Sequence, residues 1–409
     1  MILRLALKSL LYRRWISILL VLSLASSVFL ALSVERLRLG AREGFSEVVS
    51  QADLLVGART GPINLLLYSI FGMGNATNNI SFSSYETLKR HPGVEWTIPF
   101  SLGDSHRGFR VIGTNDSFFE NYRFRGHRSI AFKEGTSPQD VSEVAIGSEV
   151  AKSLSYKLGD RIVLSHGMSG EGPDVYAHDD KPFTIVGILA STGTPVDWSL
   201  YVSLEALEWI HLGWQDGVPS HTNQQTKPHL KVQEITSFLV RMKKRIDSVY
   251  FQREINQFRA EPLMAIAPGV TLLEFWNSFR FFEASLRVVS WFVAVISLLG
   301  LLVVLILSIE VRQREMMILR TIGFNASRIF SLILLEVGAL TLAGVILGTS
   351  LVLLTYTALR APLESLTGIS LVFTPPSSFE VVFVSSLLVL ALLAALGPAW
   401  KLYRKGLWG

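Results

Sequence analysis

Four stretches of this chain are long and apolar enough to cross a bilayer, and they limit what the rest can fold into. Trp15–Val34 is 20 residues without a charge, between Arg14 and Glu35. Val288–Ile309 is 22 residues without a charge, between Arg287 and Glu310. Ile329–Leu359 is apolar apart from Glu336, and Val381–Trp400 lies between Glu380 and Lys401. A hydrocarbon core of about 30 Å takes ~20 helical residues, so each stretch predicts one transmembrane helix. Composition agrees: 49% of residues are apolar and 17% charged, where soluble domains average about 25% charged. The first stretch exceeds the ~7–15 apolar residues of a cleaved signal and reads as an uncleaved anchor.

The basic residues give an orientation. Arg4, Lys8, Arg13 and Arg14 precede the first run; Arg312, Arg314, Arg320 and Arg328 follow the second; Lys401, Arg404 and Lys405 follow the fourth. These three pieces carry 11 Lys and Arg against Glu310 and Glu315. The other loops are close to balanced, with 27 basic and 30 acidic residues. Positive loops stay on the cytoplasmic side, so both termini are expected inside and 35–287 outside. The expected fold class is an α-helical membrane protein with four transmembrane helices and an α+β extracytoplasmic domain inserted between helices 1 and 2. The boundaries read as 1–34 (N-terminal helix and first span), 35–287 (outer domain with stalk), 288–309 (second span) and 310–328 (cytoplasmic loop). The third span is 329–359, a short outer loop is 360–380, and the fourth span with its tail is 381–409.

Within the outer segment, strands are predicted at Asp53–Val56, Val94–Ile98, Phe109–Ile112, Ile162–Leu164, Phe183–Ile188 and Ser237–Val240. Helices are predicted at Ser84–Arg90, Ser148–Leu154, Leu204–Ile210 and Lys244–Arg259. Short strands alternating with helices indicate an α+β domain. The last helix continues toward the aromatic run Phe275–Arg287 and predicts a near-continuous stalk into the second span. Ile63–Met73 is apolar but too short to span; it reads as a buried helix, or as a strip touching lipid or an apolar substrate. Ser165–Pro182 and Gly213–Pro228 read as exposed loops.

Several chemistries are excluded or unsupported. There is no cysteine, hence no disulfide or thiolate site. No Gly is followed by Lys, which excludes a P-loop, so any ATP and its Mg²⁺ would be bound by another chain. All eight histidines lie in the outer segment. His178 with its Asp neighbours, and the pair His221 and His229, match no defined metal spacing. Gly103-Asp104-Ser105-His106 is a chance adjacency, not a triad. Nothing indicates nucleic-acid binding or a cofactor.

The loop after the second span carries the most specific pattern. Over 310–323 it reads EVRQREMMILRTIG. Met316, Leu319 and Ile322 share a helical face, while Arg312, Glu315 and Arg320 lie elsewhere on it. Gly323 suits a left-handed helix end, and Asn325 or Ser327 can cap the next helix. This segment resembles the coupling helix of the MacB/LolC/FtsX permeases at Arg312, Arg314, Glu315, Ile318, Leu319, Arg320 and Gly323. Thr321 stands where that family usually has Ala. Glu143–Leu154, Leu158–Ile162 and Phe183–Leu189 resemble the family's periplasmic core domain. The C-terminal Pro398-Ala-Trp-Lys and the basic N-terminal helix around Ala6–Arg14 also match. Ser191–Asp197 through Ile210–Trp214 looks typical of a MacB-like subgroup. The tail after the fourth span is short, leaving little to help dock an ATPase.

The resemblance implies a dimer of four-span subunits in the bacterial inner membrane, more simply of identical chains. A separate ABC ATPase would dock on Arg312, Glu315, Ile318, Leu319, Arg320 and Gly323, and its motion would pass to the periplasmic domain (mechanotransmission). Lipoprotein or lipid handling and export of an amphipathic substrate both remain open, with a periplasmic lipoprotein or adaptor as a further partner. The alternatives are an FtsX-like regulator without a transported substrate, or a membrane-anchored binding protein without an ATPase. An ionisable residue inside a span is costly and usually paired or facing a cavity, which singles out Glu336. Gly344 and Gly348 form a GxxxG pair that permits close helix approach, either at a dimer seam or within one subunit. Leu66, Phe71, Phe275 and Phe279 are the expected contacts of a lipidic substrate.

Overall fold

The computed structural model describes residues 2–48, 52–124, 128–166, 181–212, 214–215, 218–219, 230–311, 324–367 and 375–405. The chain divides into two compact units. One comprises Met1–Ala41, Phe279–Pro362 and Leu371–Gly409; the other comprises Arg42–Ser278 and Leu363–Ser370.

Among the described residues the first unit is built of helices. A short N-terminal helix, Ile2–Tyr12, precedes four long ones: Arg14–Val48, Arg280–Val311, Ala326–Thr367 and Ser378–Lys405. Each contains one predicted apolar run, and each is long and apolar enough to cross a membrane. Leu24, Val28, Ala31, Leu301, Val337 and Leu387 meet in its interior. The opposite helix faces stay apolar although exposed, as at Phe292 (64%), Ile296 (66%) and Leu354 (66%). Contiguous exposure of large apolar side chains suits lipid, not water. On the fourth helix Phe383, Leu387, Ala391, Ala395 and Ala399 are all buried. Their i,i+4 spacing puts them on one stripe.

The second unit is built on a mixed sheet. Its main strands are β1 (Leu54–Ala58), β2 (Val94–His106), β3 (Phe109–Thr114), β4 (Phe132–Gly135), β5 (Glu143–Ile146), β6 (Phe183–Leu189), β7 (Ser199–Ser203), β8 (Ser237–Met242) and β9 (Leu263–Ile266). They lie in the order β9-β1-β8-β2-β3-β7-β5-β6-β4. β3 runs parallel to β7 and β5 parallel to β6; the other neighbours in this order are antiparallel. Alternate side chains of a strand face opposite ways, and both faces here are covered. Leu55 and Leu239 enter one core with Phe100, Phe118 and Tyr201. Leu54, Val56, Phe238 and Val240 enter another with Tyr85, Phe251 and Ile255. A third core gathers Val111, Val144, Ile146, Phe183 and Leu200 beneath the helices Ser148–Leu154 and Leu204–His211.

The predicted stalk is not one helix. Asp247–Asn256 is followed by β9, then by separate helices Pro268–Ser278 and Arg280–Val311. Pro262 and Pro268 bracket β9, and proline disfavours helix both at its own position and at the residue before it. Four of the five residues between them pair instead with β1, from Leu55↔Ile266 to Ala58↔Leu263. Ile63–Met73 folds as the helix Pro62–Ile70, with Leu65, Leu66, Tyr68 and Ser69 buried. Most of the two predicted loops lies outside the described residues, as do His178, His221 and His229.

Candidate functional site

The coupling-loop residues Arg312, Glu315, Ile318, Leu319, Arg320 and Gly323 lie outside the described residues. Their flanks are described. The second long helix ends at Val311, and the third begins at Ala326, which puts Asn325 at the N-cap position. The backbone N–H of Arg328 donates to the Asn325 carbonyl (2.9 Å).

Gly344 and Gly348 make room for this chain's own first long helix. A Cβ on Gly344 would sit 2.6 Å from Leu24 Cβ. One on Gly348 would sit 2.7 Å from the Ala25 carbonyl oxygen and 2.8 Å from Val28 Cβ. Both glycines thus face a helix of the same subunit. Glu336 is 6% exposed. With Arg13, Ser17, Leu301, Leu305 and Val337 it lines a small cavity of ≈ 40 Å³.

A charged network in the same unit was not foreseen. Glu35 (2% exposed) accepts from Arg38 Nη2 (2.7 Å), Arg287 Nη2 (3.2 Å) and Ser377 Oγ (3.2 Å). Arg38 also reaches Glu283 (3.3 Å), and Arg36 Nη2 donates to Glu380 Oε2 (3.0 Å). Ser377 and Glu380 form a capping box. Glu380 N donates to Ser377 Oγ (3.2 Å) and Ser377 N to Glu380 Oε2 (3.1 Å), so each side chain satisfies a helix-end donor of the other. Three arginines and three glutamates thus tie three long helices together. In the sequence these residues only mark where apolar runs stop; their convergence is the signal that was available, since Glu35, Arg287 and Glu380 all end runs on one predicted side.

In the second unit an aromatic cavity of ≈ 450 Å³ opens among Phe71, Phe100, Phe118, Tyr122, Trp198 and Tyr201. Phe118 stacks on Tyr201 (centroids 4.7 Å), and Phe109 on Trp198 (5.8 Å). Tyr122 Oη donates to the Val48 carbonyl (3.1 Å) and Tyr201 Oη to the Val196 carbonyl (3.3 Å). Burial raises the pKa of Tyr68 to about 12 and that of Tyr122 and Tyr201 well above the ordinary value. All three therefore remain neutral phenols. One wall is the Ser191–Asp197 turn picked out in the sequence. The Asp197 carboxylate accepts from Thr192 N (2.8 Å), Gly193 N (2.6 Å) and Thr192 Oγ1 (2.9 Å). Gly147 lets that turn approach: a Cβ there would lie 2.4 Å from the Asp197 carbonyl oxygen.

Of the four expected substrate contacts, Phe71 lines this cavity. Leu66 is inside the core at 1% exposure. Phe275 packs edge-on against Trp276 (5.3 Å). Phe279 is exposed, between the helices Pro268–Ser278 and Arg280–Val311. His106 holds Tyr156 Oη through Nε2 (2.8 Å), and His211 pairs with Asp104 (3.6 Å). Among the described residues no three His, Asp or Glu side chains converge as metal ligands.

Two family descriptions match the chain in order. Residues 17–258 match the MacB-like periplasmic core domain. Residues 287–407 match the FtsX-like permease C-terminal region. The chain belongs to the MacB/FtsX family of ABC transporter permeases. The first match takes in eight of the nine main strands and stops before β9; the second covers the last three long helices. Membership in this permease family implies a multi-pass inner-membrane protein and a partner ATPase. Among solved structures, the chain is similar to the extracellular domain of the noncanonic ABC-type transporter YknZ from Gram-positive bacteria. The identity is 11%, the TM-score 0.31, and the overlay covers 52% of this chain and 98% of that one. That overlay is loose, and the assignment rests on the two sequence matches. No curated protein matches the chain in sequence.

Proposed function

We propose that this MacB/FtsX-type permease carries the ATP-driven motion of a separate ATPase to its outer domain, as one of two identical subunits. It would serve lipoprotein or lipid handling, or export of an amphipathic substrate. ATP and Mg²⁺ belong to the ATPase. Both termini and the 310–328 loop face the cytoplasm, and the α+β unit faces the periplasm. The observation that supports this most is the union, on one chain, of a MacB-like periplasmic match with an FtsX-like permease match. The ATPase contact is read from sequence: Arg312, Glu315, Ile318, Leu319, Arg320 and Gly323 offer an apolar ridge flanked by charge.

The test is affinity purification in mild detergent with mass spectrometry of the eluate, comparing wild type with Glu315→Arg and Arg320→Glu. The expected result is an ABC ATPase that co-purifies with wild type and is lost from both variants. Wild type without any ATPase, or variants that retain it, would overturn the reading.

A further inference from the structure

Two arginines line the aromatic cavity, the exposed Arg107 and the buried Arg110, and it is the buried one that the fold leaves without a counter-charge. Arg110 lies on β3, opposite Ser105 of β2 and Ser199 of β7. It is 8% exposed. Its neighbour Val111 enters the core beneath the sheet, so alternation turns Arg110 and Ile112 to the opposite face, where both line the cavity. There Arg110 Nη2 donates to the Gly74 carbonyl (2.7 Å). Its Nε is buried and donates to nothing. Among the described residues no carboxylate pairs with it. Asp197, the acid of the adjacent turn, is occupied by Thr192 and Gly193.

A guanidinium stays charged in proteins, and burying a charge is strongly unfavourable unless it is paired and hydrogen-bonded. Burial lowers the Arg110 pKa from its ordinary value, and nothing offsets that. The site is therefore incomplete as the chain alone builds it. Arg110 also borders a second hollow of ≈ 300 Å³, walled by Asn75, Thr77, Asn78, Asn79 and Gly103. The guanidinium thus separates an aromatic chamber from an amide-rich one.

We propose that this pair of chambers binds an amphipathic anion. A carboxylate or phosphate head would sit on Arg110 beside the asparagines, and an apolar chain would lie along Phe71, Phe100, Phe118 and Trp198. A planar guanidinium matches either head by two parallel N–H···O bonds. The aromatic chamber falls in the size range of small-molecule pockets, about 300–1,000 Å³. The proposal concerns occupancy of this cavity and holds whether or not an ATPase drives the protein.

The full chain in phosphatidylcholine nanodiscs is photolabelled with a dodecanoate carrying a terminal diazirine, and labelled peptides are mapped. Labelling is expected within 68–73, 107–112 or 195–201. Dodecanoate and dodecyl phosphate, as competitors, should suppress it at concentrations about tenfold below dodecanol, the ratio a charge-assisted hydrogen bond supplies. Suppression by only one of the two anions would identify the head group. Arg110→Gln should bring the anions to parity with dodecanol while dodecanol still competes, which shows that the cavity is intact. Trp198→Ala, at the half-buried rim, should weaken labelling several-fold and keep the anion preference. Labelling confined to the long apolar helices, an anion preference unchanged in Arg110→Gln, or labelling unchanged in Trp198→Ala would each overturn the proposal.

Discussion

The two units partner arginine in opposite ways. In the helical unit Arg36, Arg38 and Arg287 each face a carboxylate, and the carboxylates in turn take bonds from Ser377 and from one another's partners. In the α+β unit Arg110 has one backbone carbonyl and no acid. A network in which every charge has an opposite partner holds helices in one register, because removing a member weakens the bonds of the others. A cation with no carboxylate gives no such gain and leaves a charge for something outside the chain. Burial alone does not separate structure from binding; the state of the partners does.

Three substitutions test this contrast. Glu35→Ala removes the shared acceptor of Arg38 and Arg287; Arg38 keeps Glu283 and the partly exposed Arg287 turns to water, so the loss of the buried acceptor and its bonds should destabilise the protein by about 2–3 kcal/mol. Thermal unfolding of the detergent-solubilised protein measures it, and an unchanged Tm would show that the network is ornamental. Gly348→Leu drives a side chain into the Ala25 carbonyl and Val28 and should cost about 2 kcal/mol, or drop the folded yield, in the same assay; no loss would mean the helices part freely there. Arg110→Met should have the smallest effect and the opposite sign. Replacing an unpaired buried cation with a chain of similar volume is expected to be neutral or to stabilise by ~1 kcal/mol in the ligand-free protein. A loss as large as that of Glu35→Ala would erase the distinction between the two arginines.

What the sequence disclosed divides along the same line. The apolar runs, the helix Ser148–Leu154 and strands such as Ser237–Met242 were legible because each is a local pattern of period 3.6 or 2. The glycine pair was legible as a close approach, though its partner was not, because Leu24, Ala25 and Val28 lie some 300 residues away in the chain. The Glu35 network escaped for that reason, since it joins residues 35–38, 283–287 and 377–380. β9 escaped because a four-residue strand in a five-residue gap between two prolines carries too short a period to read. Arg110 escaped because Phe109–Ile112 reads as a strand with one watered face. The turn after Pro62–Ile70 and the segment Pro195–Trp198 close that face over.

The position of β1 has a consequence for how the protein is made. Its two neighbours are β8, residues 237–242, and β9, residues 263–266. The strand is among the first of its unit to leave the ribosome, and its partners are the last. Until they arrive, Leu54–Ala58 has both hydrogen-bonding edges unpaired, the condition that invites mispairing with another chain. Pairing over so long a separation is also slow. The chain must therefore keep its oldest strand apart from others until its newest has been delivered, and a truncation anywhere before residue 266 leaves that wait unfinished.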